Sequence, residues 1–110
     1  LEGHASIGER RKKIRFGSAI LYGRVSGSAY ARKGTFQVGG QILEIVPREY
    51  VAEVAPVLAS WQRLKHHGIL PHGGGYLDQT QGFLIAMDII DGEIESMRAD
   101  DRDREAKRHG

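Results

Sequence analysis

The stretch Trp61 to Gln79, WQRLKHHGILPHGGGYLDQ, restricts the fold more than any other part of the chain. An apolar helical stripe runs into it and a second one leaves it. Between them stand Gly68, Pro71, three consecutive glycines and Asp78. Gly68 suits a left-handed helix cap, and Lys65, His66 and His67 just before it complement the helix dipole. So many turn-forming residues at fixed places predict a built corner between two helices, with Asp78 as N-cap of the second.

The helix entering the corner is read from Tyr50, Val51, Val54, Val57, Leu58, Trp61 and Leu64, spaced three and four residues apart. Pro47 suits its first position, because a helix leaves that amide donor unpaired anyway. Pro56 lies inside the stripe and predicts a kink or a restart. The helix leaving the corner carries Phe83, Leu84, Met87, Ile90, Ile94 and Met97 on one face. Beyond Met97 the sequence is almost wholly charged, and a solvated helical extension is expected from about residue 98.

Upstream the period changes. Ile14 and Phe16 alternate with Lys13 and Arg15, the two-residue rhythm of a half-buried strand, and Ala19 to Val25 is read as the next strand. Thr35 to Val38 and Gln41 to Val46 form a hairpin across Gly39-Gly40, a pair that tolerates the positive φ of a two-residue turn. The fold class expected is α+β: a small antiparallel sheet of three to four strands, then two helices joined by the Gly/Pro-rich corner and packed on one sheet face. Residues 1–11 are expected to form a mobile basic arm, and residues 12–110 a single domain. A sheet this small leaves edges that pair readily, so a homo-oligomer is expected.

The chain has 110 residues and no cysteine, which excludes a disulfide framework and thiolate chemistry. Its longest apolar run, Phe83 to Met87, is far too short to span a membrane, and a cytoplasmic location is expected. Charge is unevenly spread. Residues 1–35 hold eight Lys/Arg and two acids, whereas residues 36–110 hold eight Lys/Arg and twelve acids. Such a division can steer an acidic partner, pair subunits head to tail, or simply reflect a solvated surface with a basic tail.

Catalytic constellations are absent from the sequence. His72-Gly73-Gly74-Gly75 has the letters of an esterase oxyanion loop, but no Gly-x-Ser-x-Gly elbow accompanies it. No phosphate-binding glycine motif occurs either. Adjacent His66 and His67 diverge by about 100° on a helix, so together with His72 they read as a helix end and a loop, without a metal. Asp88, Asp91, Glu93 and Glu95 read as an exposed acidic stripe. The expectation is therefore no enzyme, no cofactor and no metal. Two interaction surfaces follow. One joins the corner to the acidic helix face through Pro71, His72, Tyr76, Asp88, Asp91 and Glu95, for protein partners. The alternative is a nucleic-acid surface built from Arg10, Arg11, Lys12, Lys13, Arg15, Arg24, Arg32 and Lys33, interleaved with Phe16, Tyr22 and Tyr30.

Three segments together resemble the small tail-assembly proteins of tailed bacteriophages: the hairpin TFQVGGQILEIVPREY at residues 35–50, the Trp-x-x-Leu helix, and the corner GILPHGGGYLDQ at residues 68–79 leading into an acidic helix. The resemblance covers about residues 35–97. It implies a non-enzymatic, chaperone-like protein that acts on other tail components in the infected or lysogenic host. The N-terminal 34 residues depart from that pattern. They leave open a structural piece of the virion, or a phage protein directed at host nucleic-acid machinery.

Overall fold

A computed structural model describes residues 7–109. The elements in order are helix α1 (Ile7–Tyr22), a single turn α2 (Gly27–Tyr30), strands β1 (Gly34–Val38) and β2 (Gln41–Ile45), and a single turn α3 (Pro47–Tyr50). A 3-10 turn (Ala52–Val54), helix α4 (Ala55–His67), a second 3-10 turn (Tyr76–Asp78) and helix α5 (Gln81–His109) complete the chain. The architecture is α+β but mostly helical.

The sheet corrects the expected three to four strands: among the described residues it has two, β1 and β2, paired antiparallel with Val38 opposite Gln41 and Gly34 opposite Ile45. Gly39 and Gly40 link them at φ 57° and 80°, the positive values a tight two-residue turn demands. The segments expected as two further strands belong to α1 and its C-terminal cap. Ile14 and Phe16 alternate with charged residues, yet on a helix they point about 200° apart. Both are buried because α1 is covered on more than one side. The Phe16 ring meets Phe36 of β1 and Tyr50 of α3 edge-on, at centroid distances of 5.6 and 5.7 Å. Gly17 turns bare backbone toward Leu58 of α4. A helix enclosed in this way shows no single apolar stripe, so its sequence mimics period two.

Helix α1 also contains a polar group that the fold must satisfy. Ser18 is fully buried, and its hydroxyl donates to the Ile14 carbonyl at 2.8 Å within the same helix. Gly23, at φ 96°, ends the helix, with Arg24 N–H donating back to the Ala19 carbonyl at 2.9 Å. Residues 7–11 of the expected arm form the first turns of α1; residues 1–6 lie outside the described residues.

The core lies between helices rather than between helices and a sheet. Ile14 and Phe16 of α1, Leu58 of α4, and Phe83, Ala86, Met87, Ile90 and Ile94 of α5 meet Val51 and Val54 from the connecting turns. Val38 closes it from the hairpin. Each fully buried side chain of this size contributes roughly 1.5–3 kcal/mol before chain entropy is charged. Trp61, Leu64 and Leu84, on the apolar stripes of the two helices, are half-buried at its margin. Pro56 acts as a restart: the 3-10 turn ends at Val54, and the proline occupies the first turn of α4. The N-cap of α5 is Thr80, not Asp78. Thr80 Oγ1 accepts from Phe83 N–H at 3.2 Å, and Asp78 lies in the preceding 3-10 turn.

A candidate protein-docking face

The corner begins where α4 stops. Gly68 is left-handed at φ 67°, its N–H donates to Leu64 O at 2.9 Å, and Ile69 N–H reaches Arg63 O at 3.4 Å. Past this cap the backbone needs other partners, because residues 71–80 form neither helix nor sheet apart from one 3-10 turn. Gln79 supplies them. Its side chain is buried, with only 6% of the residue exposed. Nε2 donates to the carbonyls of His72 at 2.9 Å and Gly75 at 3.1 Å, while Oε1 accepts from His72 N–H at 2.9 Å. One amide thus replaces the secondary structure that three glycines cannot form.

Side chains that would be expected inward stand outward on this clamped loop. Leu77 is 83% exposed and Ile69 55%. Tyr76 is partly exposed and lays its ring edge-on against Phe83 at 6.4 Å, which joins the corner to the first turn of α5. Ile85, on the outer side of α5, is also exposed. Loss of solvent, and then the negative charges of Asp88 and Asp91, raise the Tyr76 hydroxyl above the ordinary phenol range, partly offset by Lys65. The aromatic tip and the acidic side of α5 therefore occupy one electrostatic neighbourhood.

Along α5 the carboxylates play different parts. Asp88 is exposed. Asp91 accepts the Trp61 indole N–H at 2.9 Å, and Lys65 Nζ approaches its two oxygens at 3.1 and 3.3 Å. Glu95 is gripped by Arg102 at 2.9 Å, and this hydrogen bond holds it below the usual carboxylate range. A shallow depression bounded by Trp61, His66, Asp91, Glu95 and Arg98 lies between α4 and α5. Pro71 and His72 line a second depression with Arg10, Pro56 and Phe83, the residue whose ring Tyr76 meets. Of the six residues expected at the docking surface, Asp88 and Asp91 lie one turn apart on α5, and their charges act on Tyr76. Glu95 follows one turn on, and Pro71 and His72 line the depression beside Phe83.

The alternative basic surface is dispersed. On a helix, Arg10 to Arg15 radiate about 100° apart instead of lining one strand face. Arg10 and Lys13 share Glu53 at 3.9 and 3.4 Å, and Lys12 meets Glu9 at 3.4 Å. Arg24 meets Asp101 at 2.8 Å, and Lys33 meets Glu44 at 3.2 Å. Arg32 Nε donates to the Ser28 carbonyl at 2.9 Å. Arg11 and Arg15 are exposed on α1. The aromatic residues interleaved with these cations are otherwise engaged: Phe16 is buried, the Tyr22 hydroxyl donates to Asp101 at 2.6 Å, and Tyr30 packs partly buried against the core.

Among the described residues no group of three or more His, Cys, Asp or Glu is placed to hold a metal ion, and no helix is long and apolar enough to cross a membrane. The residues that sequence reasoning missed are Gln79, Lys65, Leu77 and Ile69. Leu77 had a visible signal, a large aliphatic residue inside a polar, glycine-rich turn. Gln79 had none, because nothing local distinguishes a clamping glutamine from a solvated one. Comparison with protein families, curated proteins and solved structures found no match.

Proposed function

We infer that the chain is a non-enzymatic assembly or structural interaction protein of bacteriophage type, which binds other virion or tail proteins through the corner and the adjoining face of α5. The observation that carries this reading is the Gln79 clamp. It holds a loop bearing Leu77 and Tyr76 in one shape while those side chains face solvent. A preordered loop loses little conformational entropy when a partner covers it, so its exposed apolar groups contribute to affinity with small offset. The acids beside it set the sign of the partner, favouring a surface with lysine or arginine near an apolar patch. The phage assignment rests on the resemblance across residues 35–97. It puts the protein in the cytoplasm of the bacterial host while tails are built, or in the finished virion.

The test is affinity purification against the products of neighbouring reading frames, with wild type and Leu77→Asp run in parallel and folding checked by circular dichroism. Selective loss of a structural protein with Leu77→Asp is expected. Equal recovery of the same partners by both proteins would remove the corner as the docking surface. Binding to duplex DNA that falls steeply with added salt would favour the basic residues instead.

A further inference from the structure

Among the described residues, the hairpin leaves a strand edge with nothing on it. A two-residue turn makes Val38 and Gln41 a hydrogen-bonded pair, and pairs alternate from there along an antiparallel ladder. Phe36 with Leu43 and Gly34 with Ile45 are therefore hydrogen-bonded. Ile42 and Glu44, opposite Gln37 and Thr35, point their N–H and C=O groups away from β1. Among the described residues, no hydrogen bond reaches those groups from another element. The edge is lightly guarded: β2 reads Gln-Ile-Leu-Glu-Ile, with one charge at Glu44 and without lysine, proline or a bulge. Ile42 is 75% exposed beside this edge, while Leu43 is half-buried on the inner face.

We propose that β2 is a self-association edge, which pairs antiparallel with β2 of a second copy about a twofold axis at Leu43. The register follows from where the outward groups stand. With the axis at Leu43, Ile42 of each copy faces Glu44 of the other, and both outward residues exchange N–H and C=O bonds in two reciprocal pairs. Moving the axis to Glu44 sets two carboxylates directly opposite, which is unfavourable. Moving it to Ile42 carries Glu44 onto the turn glycine Gly40 and wastes its groups. Only the Leu43 axis uses every outward group without opposing like charges. It also brings the two Leu43 side chains together in a close, non-hydrogen-bonded pair and completes their burial. Glu44 enters with its charge already countered by Lys33 at 3.2 Å. The pairing uses no residue of the corner, and it stands or falls independently of the docking face proposed above.

Sedimentation equilibrium over a broad concentration range tests it, on the full chain. Wild type is expected to pass from monomer to dimer as concentration rises. Ile42→Pro removes only an outward N–H, a position where a strand tolerates proline, so the hairpin stays and dimer affinity falls roughly tenfold or more. Ile42→Glu faces Glu44 of the second copy and weakens the dimer several-fold, and adding Glu44→Lys restores it. A monomer at every concentration overturns the proposal. So does a dimer indifferent to Ile42→Pro, or a charge reversal that fails to restore what Ile42→Glu removed. Should Ile42→Pro disturb the hairpin, the charge series decides alone.

Discussion

The indole of Trp61 donates to the carboxylate of Asp91 at 2.9 Å, fastening the middle of α4 to the middle of α5, and Lys65 reaches the same carboxylate one turn later. Asp91 is thus a fastener between helices more than a loose acid on a docking face. The residue to which the sequence assigned partner binding is spent partly on the fold itself. Asp91→Asn keeps an acceptor for the indole and is expected to change stability little. Asp91→Ala leaves the indole N–H half-buried without its acceptor, and a loss of about 1–2 kcal/mol by urea denaturation is expected. Equal stability of Asn and Ala variants would show that the hydrogen bond contributes nothing.

Gln79 makes a sharper prediction, because its amide is both donor and acceptor. Gln79→Ala leaves the His72 N–H and the carbonyls of His72 and Gly75 without that partner, for a cost of about 2–3 kcal/mol. Gln79→Glu retains an acceptor but turns a buried anionic oxygen on the carbonyls of His72 and Gly75, so it is expected to cost at least as much. Amide exchange at His72 should accelerate in both variants while amides in the centre of α5 keep their protection. Uniform acceleration across the chain would mean that the corner does not open by itself.

Gly17 is where α1 approaches α4 closely. A Cβ built there stands 2.4 Å from Leu58 Cδ1 and 3.2 Å from Leu58 Cγ, so the buried leucine must move bodily. Replacing a helical glycine by alanine ordinarily gains about 1 kcal/mol. Here overpacking of about 1–3 kcal/mol opposes that gain, and Gly17→Ala is expected to destabilise by about 1 kcal/mol. In a Leu58→Ala background the clash disappears, and the same substitution should become stabilising. A double-mutant cycle without that change of sign would show that the helices separate at little cost.

Asp101 joins the far end of α5 to the end of α1, accepting from the Tyr22 hydroxyl at 2.6 Å and from Arg24 at 2.8 Å. These hydrogen bonds, the tyrosine's first, hold its carboxyl below the ordinary carboxylate range, and the same bond raises the Tyr22 hydroxyl. The sign follows. A lowered folded-state value makes the unfolded chain bind the proton more readily, so the stabilising contribution is complete above the ordinary carboxylate pKa of about 4. It is lost as pH falls from there through the lowered value. Tyr22→Phe should move the Asp101 carbon resonance titration upward toward the ordinary range and flatten this acid dependence. An unmoved titration would remove Tyr22 as its main cause.

How much was legible in the sequence depended on how many sides of each segment are covered. Local chemistry by itself determined the hairpin, the Gly68 cap, the interruption at Pro56 and the apolar face of α5, because each depends on residues a few positions apart. Gly39-Gly40 needs positive φ wherever it occurs, and Phe83, Met87, Ile90 and Ile94 meet one core along one stripe. Only the tertiary structure decided that residues 7–22 are helical. Phe16 is satisfied by Phe36 and Tyr50, and Gly17 by Leu58, partners 20 to 41 positions away that no local period encodes. The candidate site divides in the same way. Tyr76, Asp88 and Asp91 were legible as exposed chemistry on a corner and a helix, but Trp61 and Lys65 engage Asp91 only once α4 and α5 lie side by side, and Gln79 closes on His72 and Gly75 only once the loop folds back on itself. A side chain's type and spacing state which bonds it is able to make. Which bonds it does make is settled by the elements that packing brings within reach.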